Sequence, residues 1–266
     1  MRSRYATSSL AFIVNHPRHL VLLKRRLTSE PIPSSLAQMA TMDAPASDRN
    51  KGPILEQLQQ NNLFVDDSSS PVTTLEVAAG AGVHSVYLTE SLKSSGFNLS
   101  SWLPTDPDEL SRASIDARVA ASSDNAVGQI VKPALPLTLG PNGAKEAIWR
   151  AEPLSTSTYD LIYNVNMIHI SPWSATAGLM EFSGRRLNEG GALVIYGPFI
   201  LNGEMVQSNV AFDESLRAKN PAWRIRNLED VTAKAESNGL TLTAVIDMPA
   251  NNKMVVFKRA PRQEDN

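Results

Sequence analysis

Strands and helices alternate through most of the chain, and two final strands follow each other with no helix between them. Hydrophobic runs bounded by turn residues predict seven strands, at residues 72–77, 99–103, 159–166, 192–196, 240–247 and 253–258, with one more inside residues 130–139. The alternation predicts a parallel sheet with helices on both faces, because each parallel pair needs a crossover between its strands. The last two strands predict an antiparallel edge hairpin, whereas a plain dinucleotide-binding sheet would end with all its strands parallel. The expected fold is α/β and Rossmann-like, with seven strands.

The most specific local pattern is the string Leu75-Glu-Val-Ala-Ala-Gly80-Ala-Gly82, which runs from a predicted strand into a tight turn and a helix. Such a turn lets the backbone approach a ligand at the carboxyl edge of the sheet. Proteins that bind S-adenosylmethionine (SAM) have the pattern acidic-x-Gly-x-Gly-x-Gly here, and Ala78 replaces its first glycine. We expect Glu76 to face the cationic amino group of the ligand. His84, on the first turn of the helix, is expected over the cofactor, with capping or packing as the alternative.

A second acidic residue, Asp106, follows the next predicted strand, 24 residues beyond Gly82. A carboxylate at this position can accept hydrogen bonds from both hydroxyls of a ribose. The alternative is that Asp106 caps the helix predicted to begin at Pro107.

Polar side chains also follow the strand at residues 159–166, in the string Asn164-Val-Asn166-Met167-Ile-His169. We expect Asn164, Asn166 and Met167 to contact the cofactor, because they lie at the carboxyl edge of the same sheet. His169 is the candidate catalytic residue, as a base or as a hydrogen-bond partner of an acceptor oxygen. Its alternative role is structural.

Composition excludes several kinds of site. The chain has no cysteine, which excludes disulfides, iron–sulfur clusters and cysteine nucleophiles, and we expect no metal site. Six of its 25 basic side chains lie in residues 1–29, which hold none of its 27 acids, so the remaining chain is acidic. Nucleic acid is therefore a disfavoured partner. No apolar run approaches the roughly 20 residues of a membrane-spanning helix, so a soluble protein is expected.

The first residues differ from the rest in composition. Residues 1–44 are rich in arginine and serine and are similar to a mitochondrial transit peptide. The alternatives are a disordered tail, or an extension of the gene model beyond a start at Met39 or Met42. We therefore expect an N-terminal extension over residues 1–44, one domain over residues 45–260, and a disordered tail over residues 261–266. The expected location is mitochondrial or cytoplasmic.

Several strings resemble the methyltransferase-like 26 family, and the likeness covers residues 46–259. They include Asp48-Arg-Asn50-Lys-x-Pro-Ile-Leu, Leu75-Glu-Val-Ala-x-Gly-x-Gly-x-His84, Asn166-Met-Ile-His-Ile-Ser-Pro-Trp173 and Ser208-Asn-x-Ala-Phe-Asp-x-Ser-Leu-Arg217. The resemblance implies the class I SAM-dependent methyltransferase fold and SAM as cofactor, but no particular substrate. It also adds Asn50 to the expected cofactor contacts. Gly140 stands where the family has an acid near the adenine, so it cannot supply that carboxylate.

Methyl transfer from SAM to a small-molecule acceptor is the expected function. The segment 198–226 is expected to form a lid and acceptor pocket, with acceptor contacts at Tyr196, Asn209, Phe212, Asp213, Arg217 and Trp223. One alternative is a non-catalytic protein of the same fold that acts in binding or regulation. An NAD-dependent oxidoreductase is disfavoured by the edge hairpin and by the lack of a Tyr-x-x-x-Lys motif. The sequence leaves the oligomeric state open.

Overall fold

The computed structural model describes residues 41–61, 71–140 and 153–260. The predicted tail and nearly all of the predicted extension lie outside these residues. The described strands are β1 Val72–Val77, β2 Leu99–Thr105, β3 Tyr159–Val165, β4 Leu187–Gly197, β5 Phe199–Ile200, β6 Arg226–Asn227, β7 Leu240–Met248 and β8 Asn252–Arg259. The described helices are α1 Pro45–Gln60, α2 Val83–Ser94, α3 Glu109–Ala120, α4 Asn125–Ile130, α5 Trp173–Arg186, α6 Gln207–Lys219 and α7 Leu228–Glu236. In this part of the chain, no helix combines the length and the hydrophobicity needed to cross a bilayer.

The main sheet of the described residues has six strands in the order β2-β1-β3-β4-β8-β7. β1 to β4 are parallel, and β8 is antiparallel to both of its neighbours, which confirms the Rossmann-like sheet with an antiparallel edge hairpin. The count of seven is corrected, because the segment predicted within residues 130–139 makes only isolated parallel bridges to β2, at Val131 and Leu135. Pro133 and Pro136 interrupt this segment, and proline lacks the N–H that a continuous ladder requires.

Each face of the main sheet carries its own hydrophobic core, because successive strand residues point to opposite sides. The first core contains Leu75 and Ile162 from the sheet, with Phe182 of α5 and Val231 of α7. The second core lies under α1, α2 and α4, and includes from those helices Ile54, Leu58, Leu88, Leu92, Val127 and Ile130. Both faces are therefore covered, as a parallel sheet requires.

The first helix begins earlier than the sequence predicts. In the string Asp48-Arg-Asn50-Lys-Gly-Pro53, the sequence predicts Asp48 or Asn50 as the cap and Pro53 in the first turn, but α1 begins at Pro45. Proline suits the first helical position, since its fixed φ angle matches the helix and its missing N–H would have no partner there. Asn50 consequently lies inside the helix and is buried.

The transition from α5 to β4 also differs from the prediction. The string Asn188-Glu-Gly-Gly191 predicts a stop after the helix that begins near Ser171, but β4 begins at Leu187, directly after α5. Asn188 donates from Nδ2 to Asp160 Oδ1 at 2.6 Å, and Asp160 Oδ2 accepts from the Thr73 amide at 2.8 Å. These bonds join β1, β3 and β4 at the amino edge of the sheet. In the segment 198–226, which is expected to form a lid and acceptor pocket, α6 forms and β5 pairs with β6.

Three adjacent strands, β2, β1 and β3, end level with one another at the carboxyl edge. Val77 of β1 pairs with Thr105 of β2 and with Asn164 of β3. The residues that follow these strands therefore emerge at one place, which is where open α/β sheets bind ligands.

We predict that two glycine substitutions have opposite effects. Gly82 has φ +80°, and a Cβ there would lie 2.8 Å from Ile115 Cα, so Gly82→Ala should lower the free energy of unfolding by about 2–4 kcal/mol. Gly52 lies in α1 with open space around it, so Gly52→Ala should raise that free energy by about 0.5–1 kcal/mol. Urea unfolding followed by circular dichroism measures both. Equal effects would mean that the turn after β1 is built differently.

Candidate active site

The turn between β1 and α2, residues 78–82, has three residues in the left-handed region. Their φ angles are +56° at Ala78, +58° at Gly80 and +80° at Gly82. The left-handed conformation costs Ala78 about 1 kcal/mol, and it would suit the first glycine of the SAM-binding pattern, which Ala78 replaces. A Cβ added at Gly80 would meet nothing within 4 Å. The backbone of this glycine turn is thus open on the side of Gly80.

Asp106 is held directly against the glycine turn. Its Oδ2 accepts from the Gly80 amide and its Oδ1 from the Asp108 amide, both at 2.9 Å. Burial raises its pKa, and these two bonds oppose that effect. The alternative role as a helix cap is wrong, because Asp108 caps α3 by accepting from the Ser111 amide at 2.8 Å. The structure therefore brings together the turn and the carboxylate that the sequence singled out separately.

Glu76 is enclosed instead of facing an open edge. The residue is 2% exposed, and its Oε2 accepts from Ser85 Oγ at 2.6 Å and from Trp102 Nε1 at 2.7 Å. Burial raises its pKa to about 7, against these two bonds, and the nearby charge of Asp106 adds to the rise. Glu76 consequently ties β1 to α2 and β2, and it lies close enough to Asp106 for the two carboxyl groups to interact.

His84, Asn50 and Tyr196 form a buried polar chain beneath α1. His84 Nε2 and Asn50 Oδ1 are 2.8 Å apart, and side-chain hydrogen bonds join Tyr196 to Asn50 and to Asn252. These polar side chains link α1, α2, β4 and β8. Tyr196 was predicted to contact the acceptor together with residues of α6. It belongs instead to the second core, beside two of the predicted cofactor residues.

The end of β3 presents an unsatisfied acceptor. Asn164 donates from Nδ2 to the Val77 carbonyl at 3.0 Å, while its Oδ1 is buried without a hydrogen-bond partner in the described residues. Asn166 takes a left-handed conformation with φ +55° and donates its amide to the Tyr196 carbonyl at 2.9 Å. Met167 packs against the first core. A buried oxygen without a donor is costly, so a ligand that donates to Asn164 would be favoured here.

His169 lies between the end of β4 and helix α6. A Cβ added at Gly197 would be 3.3 Å from His169 Nδ1, so the imidazole packs tightly against this glycine. Its other side meets the ring of Phe212, with 5.6 Å between the ring centroids. His169 Nδ1 is buried without a hydrogen-bond partner in the described residues. Burial, and to a smaller extent the charge of Arg226, lowers its pKa to about 4, so the ring is neutral at pH 7.

The predicted acceptor residues of segment 198–226 divide into two groups. Phe212 is 39% exposed beside His169, and Asn209 is buried with an unpartnered Nδ2. Asp213 instead accepts from the Ile225 amide at 2.7 Å and pairs with Arg217 at 2.8 Å. Trp223 packs against a small separate core of Ile200, Leu216 and Ile225. In this structure Asp213, Arg217 and Trp223 thus hold α6 and its flanking segment together.

Arg226 is a site residue that the sequence did not reveal. It donates from Nε to the Ile168 carbonyl at 3.1 Å and from Nη2 to the Ser171 carbonyl at 2.6 Å. These bonds fix the chain on both sides of His169, whose own carbonyl accepts from the Arg224 amide at 3.1 Å. Because the partners are backbone carbonyls more than 50 positions away, no side-chain pattern marks Arg226 in the sequence.

The fold is shared with solved methyltransferases. An O-methyltransferase family protein from Burkholderia thailandensis gives a TM-score of 0.61 at 13% identity, over 82% of this chain and 58% of that one. Mitomycin 7-O-methyltransferase MmcR gives 0.58 at 14% identity, over 85% of this chain and 61% of its own. The SAH-bound form of CalO1, a methyltransferase in calicheamicin biosynthesis, gives 0.57 at 13% identity, over 80% and 54%. At these identities the likeness establishes a methyltransferase-type fold alone, and this chain spans between 54% and 61% of the length of the three proteins.

Residues 41–259 match the family described as protein of unknown function DUF938. Since the match covers most of the sequence, the chain belongs to this family. The match includes α1, so the helix that carries Asn50 is part of the family domain.

We predict that acid weakens the fold through His84 and His169. Burial lowers both pKa values from 6.5 to about 4, so their contribution is present above pH 6.5 and is lost as pH falls towards 4. Glu76, raised from 4.5 to about 7, binds a proton in the folded state and offsets one histidine. Between pH 6.5 and 4.5 these three groups leave the unfolded chain with one proton more, so the free energy of unfolding should fall by ~1.4 kcal/mol per pH unit.

Urea unfolding at a series of pH values measures this slope. His84→Gln removes one of the two histidines, so the remaining histidine and Glu76 offset each other. The free energy of unfolding of this variant should therefore change little between pH 6.5 and 4.5. A slope equal to that of the wild type would contradict the assignment.

Proposed function

We propose that this protein is a SAM-dependent methyltransferase that acts on a neutral oxygen or nitrogen of a small molecule. The main support is the hydrogen bond between Asp106 and the Gly80 amide, which places a carboxylate beside an open glycine turn at the carboxyl edge. The names of the solved proteins with this fold, one of them with bound SAH, S-adenosylhomocysteine, agree with the proposal. So does the resemblance of several sequence strings to the methyltransferase-like 26 family.

The described residues fit SAM. Asp106 keeps lone pairs for ribose hydroxyls, since each carboxylate oxygen can accept more than the one bond it has. Asn164 Oδ1 supplies an unused acceptor for a donor group of the cofactor. We further assign cofactor contacts to the turn at Ala78, Gly80 and Gly82, and to Asn166 and Met167. Bound SAM would supply a methyl group on a sulfonium. The acceptor's lone pair would displace the sulfur in line, and the sulfur would leave as the neutral thioether of SAH.

The polar groups of the second core would support the cofactor from below the edge. Glu76 would support the site without direct contact with the cofactor, because Ser85 and Trp102 already bind its Oε2. Asn50 and His84 hold α1 against α2. We therefore assign these three residues to the cofactor side of the site, with positioning as their main role.

His169 would accept the proton that the acceptor loses. Its neutral ring has a buried nitrogen without a partner, and Arg226 fixes the chain on both sides of it. The low pKa makes it a weak base that passes the proton on readily, and positioning of the acceptor does most of the work. Phe212 and Asn209 would line the acceptor pocket. The oxygen or nitrogen that is methylated is neutral, so it needs no ion pair there. We propose residues 45–260 as the catalytic domain, in a mitochondrial or cytoplasmic protein.

The rival proposal is a binding or regulatory protein of the same fold that has lost catalysis. The strained Ala78 and the position of Gly140 favour it, since both depart from the pattern of active enzymes. The intact Asp106 contact favours cofactor binding in either case.

We predict that SAH binding depends on Asp106. Asp106→Asn should weaken binding by about tenfold or more, because the amide has one acceptor atom for the ribose and the turn instead of two. Asp160→Asn is the matched control, since Asp160 also accepts from a backbone amide but lies at the amino edge. Titration calorimetry with SAH and with SAM measures the effect. A folded protein that binds neither compound would refute the proposed cofactor, and binding of NADH instead would favour the oxidoreductase.

We predict that His169→Gln lowers methyl transfer by about 100-fold while SAH affinity stays unchanged. The rate of the wild type should fall only near pH 4, where His169 becomes protonated, and not near pH 6.5. Transfer of labelled methyl from SAM into a small-molecule extract measures both effects. Normal SAH binding without any transfer by the wild type would support the non-catalytic rival.

A further inference from the structure

A cavity lies beside the candidate active site, between the start of α5, the β6 segment and the start of α7. Its volume is about 240 Å³, and it is lined by Trp173, Arg224, Ile225, Arg226, Asn227 and Asp230. None of these residues was predicted to bind cofactor or acceptor. Arg226 separates the cavity from the loop that carries His169, because it donates to the Ile168 and Ser171 carbonyls of that loop.

Arg226 is a buried cation that makes no direct ion pair with a described residue. The residue is only 6% exposed, and its guanidinium donates from Nε and Nη2 to three backbone carbonyls. The hydrogen bonds of this guanidinium to described residues come from Nε and Nη2, which leaves Nη1 for a ligand in the cavity that the side chain lines. Neither Arg226 nor Arg224 forms an ion pair within the described part of the chain. Burial, and to a smaller extent the charge of Arg224, lowers the pKa of Arg226, and the charge of Asp213 opposes this effect without cancelling it.

The remaining walls limit what kind of anion fits. The guanidinium carbon of Arg226 lies 5.9 Å from the centroid of the Trp173 ring, and that indole is 39% exposed. Ile225 adds an apolar wall. Asp230 is the opposing acid, but it is exposed and accepts from Asn227 Nδ2 at 3.0 Å. Among the lining residues two cations therefore face one acid, and the cavity is smaller than the roughly 300 Å³ at which ordinary ligand pockets begin.

We infer that this cavity binds a small planar carboxylate, with the anion at Arg226 and Arg224 and the flat apolar part against Trp173 and Ile225. A guanidinium matches the planar carboxylate in geometry and charge, whereas an isolated buried cation is unfavourable. The carboxylate could belong to the methyl acceptor or to a separate effector. Since Arg226 also holds the loop of His169, an occupied cavity would restrain that loop in either case.

Titration calorimetry with benzoate tests the inference on the whole protein. Benzoate should bind saturably, while benzamide, which has the same shape without the charge, should not. Arg224→Gln should weaken benzoate by about fivefold or more, because it removes one of the two charges and leaves the Arg224 backbone bond to His169 in place. Asp230→Asn should tighten binding. Arg185→Gln, on the exposed end of α5, is the matched control and should have no effect.

Several results would overturn the inference: no saturable benzoate binding, equal binding of benzamide, preference for phosphate, or equal affinities of Arg224→Gln and Arg185→Gln. Arg226→Gln is not used alone, because it also loosens the loop of His169. Separate titrations with SAH keep this test independent of the proposed cofactor. Benzoate added to the labelled-methyl assay identifies the source of the carboxylate. Inhibition that more extract overcomes means that the acceptor itself uses the cavity, whereas a change in transfer that more extract does not overcome means a separate effector.

Discussion

Two hydrogen bonds at the carboxyl edge hold together the part of the molecule on which the candidate site depends. The Gly80 amide donates to Asp106 Oδ2, and the Ala79 amide donates to the Thr105 carbonyl, also at 2.9 Å. Together they join the glycine turn to the end of β2. They compensate for the strained conformations of the turn, where Ala78 and Gly80 both have positive φ angles. Without them the backbone of the turn would have no fixed relation to the carboxylate beside it.

Polar groups are buried on both faces of the sheet near this edge, and they differ in whether they have hydrogen-bond partners. On the second-core face Glu76, His84 and Asn50 are satisfied by other side chains, so they hold helices in place. Toward the first-core side, Asn164 Oδ1 and His169 Nδ1 are buried without partners. A buried acceptor or ring nitrogen without a partner costs stability unless something binds it, so Asn164 and His169 are groups that a ligand at this edge would satisfy.

The sequence predicts the fold well because local patterns determine it. The parallel order, the edge hairpin and the end of β1 at the glycine turn all follow from hydrophobic runs and turn residues that are close together in the chain. The missing strand at residues 130–139 and the start of α1 at Pro45 were mispredicted, since prolines there act through hydrogen bonds and not through hydrophobicity. The position of Asp106 at the same sheet edge as the glycine turn could be predicted from spacing along the chain. The direction of Glu76 and the place of Tyr196 could not, because they depend on which face of a strand a side chain occupies.

Arg226 shows a further limit of sequence reasoning. Its bonds reach backbone carbonyls, which every residue has, so no partner residue type can indicate them. The same holds for Gly197, whose missing side chain matters only because His169 packs against it. Both residues act on the neighbourhood of the imidazole from elements that are distant in the chain. Only the assembled molecule relates them to it.

The position of β8 has a consequence for how the molecule assembles during translation. This strand is the last of the sheet to leave the ribosome, yet it lies between β4 and β7 and pairs with both. Until it arrives, the long and largely apolar β4 has one edge unpaired, and β7 has no neighbour to attach to. The nascent chain must therefore keep this sticky edge from associating with other chains while the intervening residues are made. The sheet is therefore completed only when β8, which is synthesised last, pairs with β4 on one side and β7 on the other.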